Sequence, residues 1–199
     1  QALYNYGLYN SAIGDTAKAI ECYERVILLD STYFTAMNNL GVIYGARLDF
    51  KNAFRCYRMA YALNSSSITA GNMANLYFNQ GIYFGLNNLP DSSMVSYRNS
   101  VAYDPNYIMA YNNMAVIFAN RMQYDSCIYY LKKGYEVDNA NLMILENIGA
   151  MSYLNKQYDQ AIDFAGKALS LNPQLPKSRN TLVNAYTAKG DKAAADKYK

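Results

Sequence analysis

The chain of 199 residues contains no histidine, which removes the usual general base at neutral pH and the commonest metal ligand. Cysteine is scarce, at Cys22, Cys56 and Cys127. An odd number of thiols argues against a disulfide framework, and their spacing is not that of a zinc site. They read as small apolar filler. No convincing strand occurs, so no glycine-rich phosphate loop follows one. No apolar run approaches the ~18 residues that a membrane span needs. No charged segment followed by an apolar stretch opens the chain, so no secretory signal is visible. The net charge of +3 comes from scattered lysine and arginine and points to neither a nucleic-acid partner nor membrane insertion. The closest carboxylate pair at helical spacing, Asp159 and Asp163, reads as a solvated outer face. These absences predict a protein without an active site, cofactor or metal.

What the chain does contain is one unit written repeatedly, and a repeat governs every later reading of a fold. Shifted by 34 residues, Tyr6-Gly7 falls on Leu40-Gly41, and Gly14-Asp15 falls on Leu48-Asp49. Ala19, Tyr23 and Val26 fall on Ala53, Tyr57 and Ala60. Further along, Asn113-Met114-Ala115 falls on Asn147-Ile148-Gly149, and Cys127 on Ala161. Within each unit, apolar and small residues recur three or four apart, as on one face of a helix. Gly14-Asp15 and Leu89-Pro90-Asp91-Ser92 break that pattern and restart it. Pro90 is expected to end one helix, with Asp91 or Ser92 capping the next. Leu48 stands where a turn glycine is expected, so that turn is predicted to avoid positive φ.

The units run from about 1–33, 34–67, 68–107, 108–141 and 142–175 to an incomplete 176–199. The third is six residues too long, and two registers compete for it. One aligns Tyr77, Gly81, Phe84, Ser93 and Tyr97 with the next unit and puts the extra residues within 64–73. The other aligns Asn72-Met73-Ala74 with Asn113-Met114-Ala115 and puts them within 79–90.

This pattern of a large residue, Leu-Gly, an aromatic, Ala, an aromatic, Ala and a closing Pro resembles the tetratricopeptide repeat family across the whole chain. The resemblance implies an all-α, right-handed superhelical solenoid of antiparallel helix pairs, about five and a half repeats in one elongated domain. Each unit of such a solenoid touches only its neighbours. Gln1 begins inside a helix pattern and Lys199 ends inside one, so the chain is expected to be a piece of something longer. No compartment can be named; the cytoplasm is the default expectation.

In the family, first helices line a concave groove. Asn5, Asn39, Asn113 and Asn147 each precede the apolar-small pair of a first helix, and Asn79 or Asn72 supplies the third unit. The resemblance thus implies an asparagine ladder along the groove, either as a ligand site or as a residue common in the family that satisfies neighbouring backbone. Each carboxamide offers a donor and an acceptor to one peptide unit of an extended ligand. A neutral hydrogen bond nets only ~1 kcal/mol, so micromolar binding, roughly −8 kcal/mol, needs apolar contacts as well. Groove-facing neighbours include Asn38, Val42, Gly45, Phe78, Ile82, Asn112, Val116 and Tyr153, mostly uncharged. The Lys and Arg clamp by which some tetratricopeptide domains hold acidic tails is absent, and Lys177 and Glu146 are the main charges expected nearby. Only the ladder positions are similar to the asparagine-lined arm of O-linked N-acetylglucosamine transferases.

The expected function is a protein-interaction scaffold that binds an extended, largely uncharged peptide. Two alternatives are a substrate-presenting arm of a larger enzyme, such as a glycosyltransferase, and a module that self-associates through open repeat ends. Among the 22 tyrosines, Tyr23, Tyr57 and Tyr97 are expected between helices, and Tyr103, Tyr129, Tyr130 and Tyr135 on the outer face. Ala165 replaces an expected aromatic, which predicts lighter packing in the fifth unit.

Overall fold

Aspartates cap the second helices of the first two repeats: Asp15 accepts from the Lys18 backbone N–H at 3.1 Å and Asp49 from that of Asn52 at 3.2 Å, which satisfies one of the four orphan donors at each helix start. The computed structural model describes residues 1–199 as twelve α-helices and no strand. First helices are α1 (Ala2–Ala12), α3 (Phe34–Ala46), α5 (Ser67–Leu86), α7 (Ile108–Asn120), α9 (Leu142–Leu154) and α11 (Pro176–Ala188). Second helices are α2 (Thr16–Leu29), α4 (Phe50–Leu63), α6 (Pro90–Tyr103), α8 (Tyr124–Val137), α10 (Tyr158–Leu171) and the short α12 (Lys192–Asp196). None is long and apolar enough to cross a membrane.

The helices form two compact units, Gln1–Pro105 and Asn106–Lys199. Within each, a first helix packs on its own second helix, and that second helix packs on the next first helix. In the first unit Tyr23, Val26, Leu40, Ile43 and Cys56 form one cluster, and Phe54, Tyr57, Met73 and Leu76 the next. In the second unit Leu131, Ile144, Leu145, Ile148 and Phe164 form the core.

The pairs close on a small residue. A Cβ added to Gly7, Gly41 or Gly81 would stand 2.8, 2.7 or 2.5 Å from the ring of Tyr23, Tyr57 or Tyr97. A Cβ on Gly149 would instead meet the Ala165 backbone N at 3.2 Å. Ala165, fully buried, therefore does not loosen the fifth unit. Without a ring between them, the backbone of α9 at Gly149 faces the backbone of α10 at Ala165 and Ala161 directly.

The turns repeat as strictly. Gly14, Leu48, Asn88, Met122, Lys156 and Gly190 all have positive φ. The expectation for Leu48 is thus overturned, with φ at 59°. The reason is hydrogen bonding: the N–H after the turn residue reaches back to the helix, as from Asp49 to the Tyr44 carbonyl at 2.9 Å and from Gln123 to Phe118 at 3.0 Å. These bonds cap the helix C-terminus and hold the intervening residue left-handed whatever its side chain. At Met122, which is 77% exposed, the side chain packs on little and only the strain counts. Met122→Gly should therefore raise unfolding free energy by about 1 kcal/mol, read as an upward shift of the urea midpoint at constant slope.

Pro90 likewise departs from expectation. It opens α6 at its first position, behind Leu89, and Asp91 lies within the first turn instead of capping it. Proline lacks the N–H that would be unsatisfied there anyway. Asn64, which closes α4, lies 34 residues after Asp30, which closes α2, whereas Gly81 lies 40 after Gly41. The extra residues thus enter between 64 and 81. α5 absorbs them as helix, at 20 residues against 13 for α3, and Ser66 caps its start through the Thr69 N–H.

Candidate peptide-binding face

First helices lie beside one another within each unit, with α3 touching α5 and α9 touching α11. Their composition is one-sided: α1, α3 and α5 contain no charged residue, while Lys18, Glu21, Glu24, Arg25, Lys51, Arg55, Arg58 and Arg98 all stand on second helices. In the unit Gln1–Pro105, three rows cross this neutral face at equivalent repeat positions. One row is Asn5, Asn39 and Asn79. The next is aliphatic and solvent-exposed: Leu8, Val42 and Ile82. The third is small: Ser11, Gly45 and Gly85. Leu8 escaped the sequence reading, although it stands 34 residues before Val42.

The asparagines do more than face outward. Asn39 donates to the Tyr4 hydroxyl at 3.2 Å, and Asn72 to the Asn38 carboxamide oxygen at 3.4 Å. Each of these bonds joins neighbouring first helices. Asn79 donates to Asn75 at 2.7 Å, and Asn5 accepts from Gln1 at 3.5 Å, each within its own helix; Asn5 and Asn79 are exposed. Phe78 is half-buried, its ring 5.7 Å from that of Tyr97.

In the unit Asn106–Lys199 the same motif is tighter. Asn147 donates to the buried Asn112 at 2.8 Å and accepts from the Lys177 ammonium at 2.5 Å, so both ends of its carboxamide are used. Glu146 accepts from Ser178 at 3.3 Å. Asn113 is half-buried on α7, and Tyr153 is half-buried beside Tyr158. A free carboxamide at every ladder position is therefore not what the fold presents. Asn39, Asn72 and Asn147 bridge first helices, because a carboxamide half out of water needs a partner, while Asn5 and Asn79 bond within their own helices.

Chemically reactive groups are muted. Burial pushes the Cys56 and Cys127 thiols up to about 11, so both are protonated at neutral pH and poorly nucleophilic. Asp159 pairs with Lys189 and Asp163 with Lys167, all on exposed surface. Of the tyrosines expected outside, Tyr129 is 56% exposed. Tyr103 instead stacks on Tyr77, Tyr130 on Phe118, and Tyr135 meets Phe164 edge-on, because an exposed ring gains by covering a neighbouring one.

Residues 1–33 match the tetratricopeptide repeat family. No curated protein matches the chain. Among solved structures, the MamA protein aligns with a TM-score of 0.58 at 17% identity, covering 87% of this chain and 91% of its own. YrrB, described as a TPR protein with an unusual peptide-binding site, aligns at 0.54 and 18% identity, with 94% and 90% covered. The first TPR domain of Spaghetti (RPAP3), bound to an HSP90 peptide, aligns at 0.56 and 14% identity, with 60% and 95% covered. At these identities the likeness is one of fold.

Proposed function

Because this chain is a tetratricopeptide-repeat protein, we propose that it is a protein-interaction scaffold whose first helices take an extended, largely uncharged peptide. The observation that carries the reading is the charge-free face of α1, α3 and α5 with its asparagine, aliphatic and small rows. Two solved structures of the same fold are described as binding peptides. The Spaghetti domain holds the acidic segment SRMEEVD, a ligand that would find no cation on α1, α3 or α5. A neutral ligand leaves no charge desolvated without a partner on this face. Its aliphatic side chains would cover Val42 and Ile82, 54% and 36% exposed. Its backbone would exchange with the bonds that Asn5 and Asn79 make within their helices. The scaffold acts without catalysis of its own, in keeping with its protonated thiols and the absence of histidine.

The test is selection of phage-displayed 12-residue peptides on the full chain, followed by fluorescence anisotropy with the enriched sequences. They should be poor in Asp, Glu, Lys and Arg. The double variant Val42→Glu, Ile82→Glu, at exposed positions that do not threaten folding, should weaken them by about a hundredfold, since a charge is then buried under each aliphatic contact. Equal binding to both proteins would remove this face from consideration.

A further inference from the structure

Between α2 and α4, away from the first-helix face, an open pocket of about 370 Å³ is floored by Met37, Leu40 and Cys56 and walled by Ile27, Leu28 and Met59. Leu28 is 84% exposed and Met59 42%. The repeat provides its own control. Where Met59 stands, the other second helices carry Arg25, Asn99, Lys133 and Lys167; where Leu28 stands, they carry Ala62, Ala102, Glu136 and Ser170. The stack folds four times over with polar or small residues at these places, so packing alone does not require the apolar pair.

Charge around the pocket is also distinctive. α4 carries Lys51, Arg55 and Arg58, spaced four and three apart so that they share a helix face, all exposed and with no carboxylate within the helix. Arg55 stands on the pocket rim. Glu24 stands on the rim too, but its carboxylate accepts from the Tyr44 hydroxyl at 3.0 Å. Glu24 keeps its charge there, but it is one carboxylate beside the three cations of α4, so the surface around the pocket is net positive.

We infer that this pocket is a second binding site, which takes one large apolar side chain of a partner protein flanked by acidic residues that face Arg55 and its neighbours on α4. The apolar anchor is desolvated in the pocket while the flanking charges set orientation and selectivity, the arrangement typical of an interface hot spot with a polar rim.

The experiment is methyl NMR of the full chain with ¹³C-methyl methionine. Met37 in the pocket floor and Met59 on its wall serve as reporters, titrated with the capped peptides Asp-Glu-Phe-Glu-Asp, Lys-Lys-Phe-Lys-Lys and Asp-Glu-Ser-Glu-Asp. The first should shift both methyl signals in a saturable way, and the other two should not. Met59→Lys, which installs the residue that α8 and α10 carry at this position, should weaken the first peptide by about tenfold with Met37 as reporter and the circular dichroism spectrum unchanged. Arg55→Glu should invert the preference toward the lysine peptide. No shift with the first peptide, or equal shifts with all three, would overturn the inference.

Discussion

Between pH 8 and pH 11 the protein should lose roughly 3–5 kcal/mol of unfolding free energy, a large part of the 5–15 kcal/mol typical of a folded domain. The groups responsible are Cys56, Cys127 and Tyr57. Burial pushes the two thiols up to about 11 and the Tyr57 hydroxyl up to about 12. All three are neutral in the fold and ionise earlier in the unfolded chain, where a thiol titrates near 8.5 and a phenol near 10. A raised folded pKa stabilises fully below the unfolded value, and that contribution is lost as pH climbs through the folded one. Each group is assigned about 1–2 kcal/mol at pH 11 after discounting for solvent screening. Tyr44 is also pushed up to about 12, by burial and then by its bond to Glu24, and its half-exposed ring adds less. With no histidine to titrate, stability should be flat from pH 5 to 8. Urea denaturation followed by circular dichroism at unit pH steps measures the profile. Cys56→Ala with Cys127→Ala should flatten its alkaline limb, and a decline already evident between pH 5 and 8 would contradict this account.

Two glycines on α5 should respond to alanine in opposite directions. Gly81→Ala is expected to destabilise by about 1–3 kcal/mol, the usual result of overpacking. The new methyl would sit 2.5 Å from Cε1 and 2.6 Å from Cδ1 of Tyr97, and that ring is 5% exposed, held beneath Phe78. It has nowhere to swing. Gly71→Ala, ten residues earlier in the same helix, meets nothing within 4 Å and should stabilise by roughly 0.5–1 kcal/mol through helix propensity alone. Thermal or urea unfolding of the two variants side by side measures both signs. Equal destabilisation would show that α5 does not run unbroken from Ser67 to Leu86.

Much of this architecture is written in short stretches. The period of 34, the two helices per unit and the turn positions are local patterns, because helix amphipathicity and turn placement depend on residues a few positions apart. The neutrality of α1, α3 and α5 is equally legible, since it is a property of each segment read by itself. The candidate face inherits this: Val42 and Ile82 stand exposed where the repeat alignment puts them, and Leu8 needed only the same shift.

What depends on distant partners was not legible. The third unit admits two alignments because the extra residues are themselves helical, so no break in the pattern marks where they enter. Only the seating of Gly81 on Tyr97 and of Asn72 beside Asn38 shows that α5 serves its own partner helix in one register and the preceding repeat in the other. The left-handed backbone at Leu48, Met122 and Lys156 follows from hydrogen bonds between the turn and the helix before it, which outweigh each residue's own preference. The asparagines were legible as a row, but their partners were not. Asn147 meets Asn112 and Lys177 from two other first helices, and a carboxamide's bonds are decided by whichever groups the stacked helices bring within 3 Å.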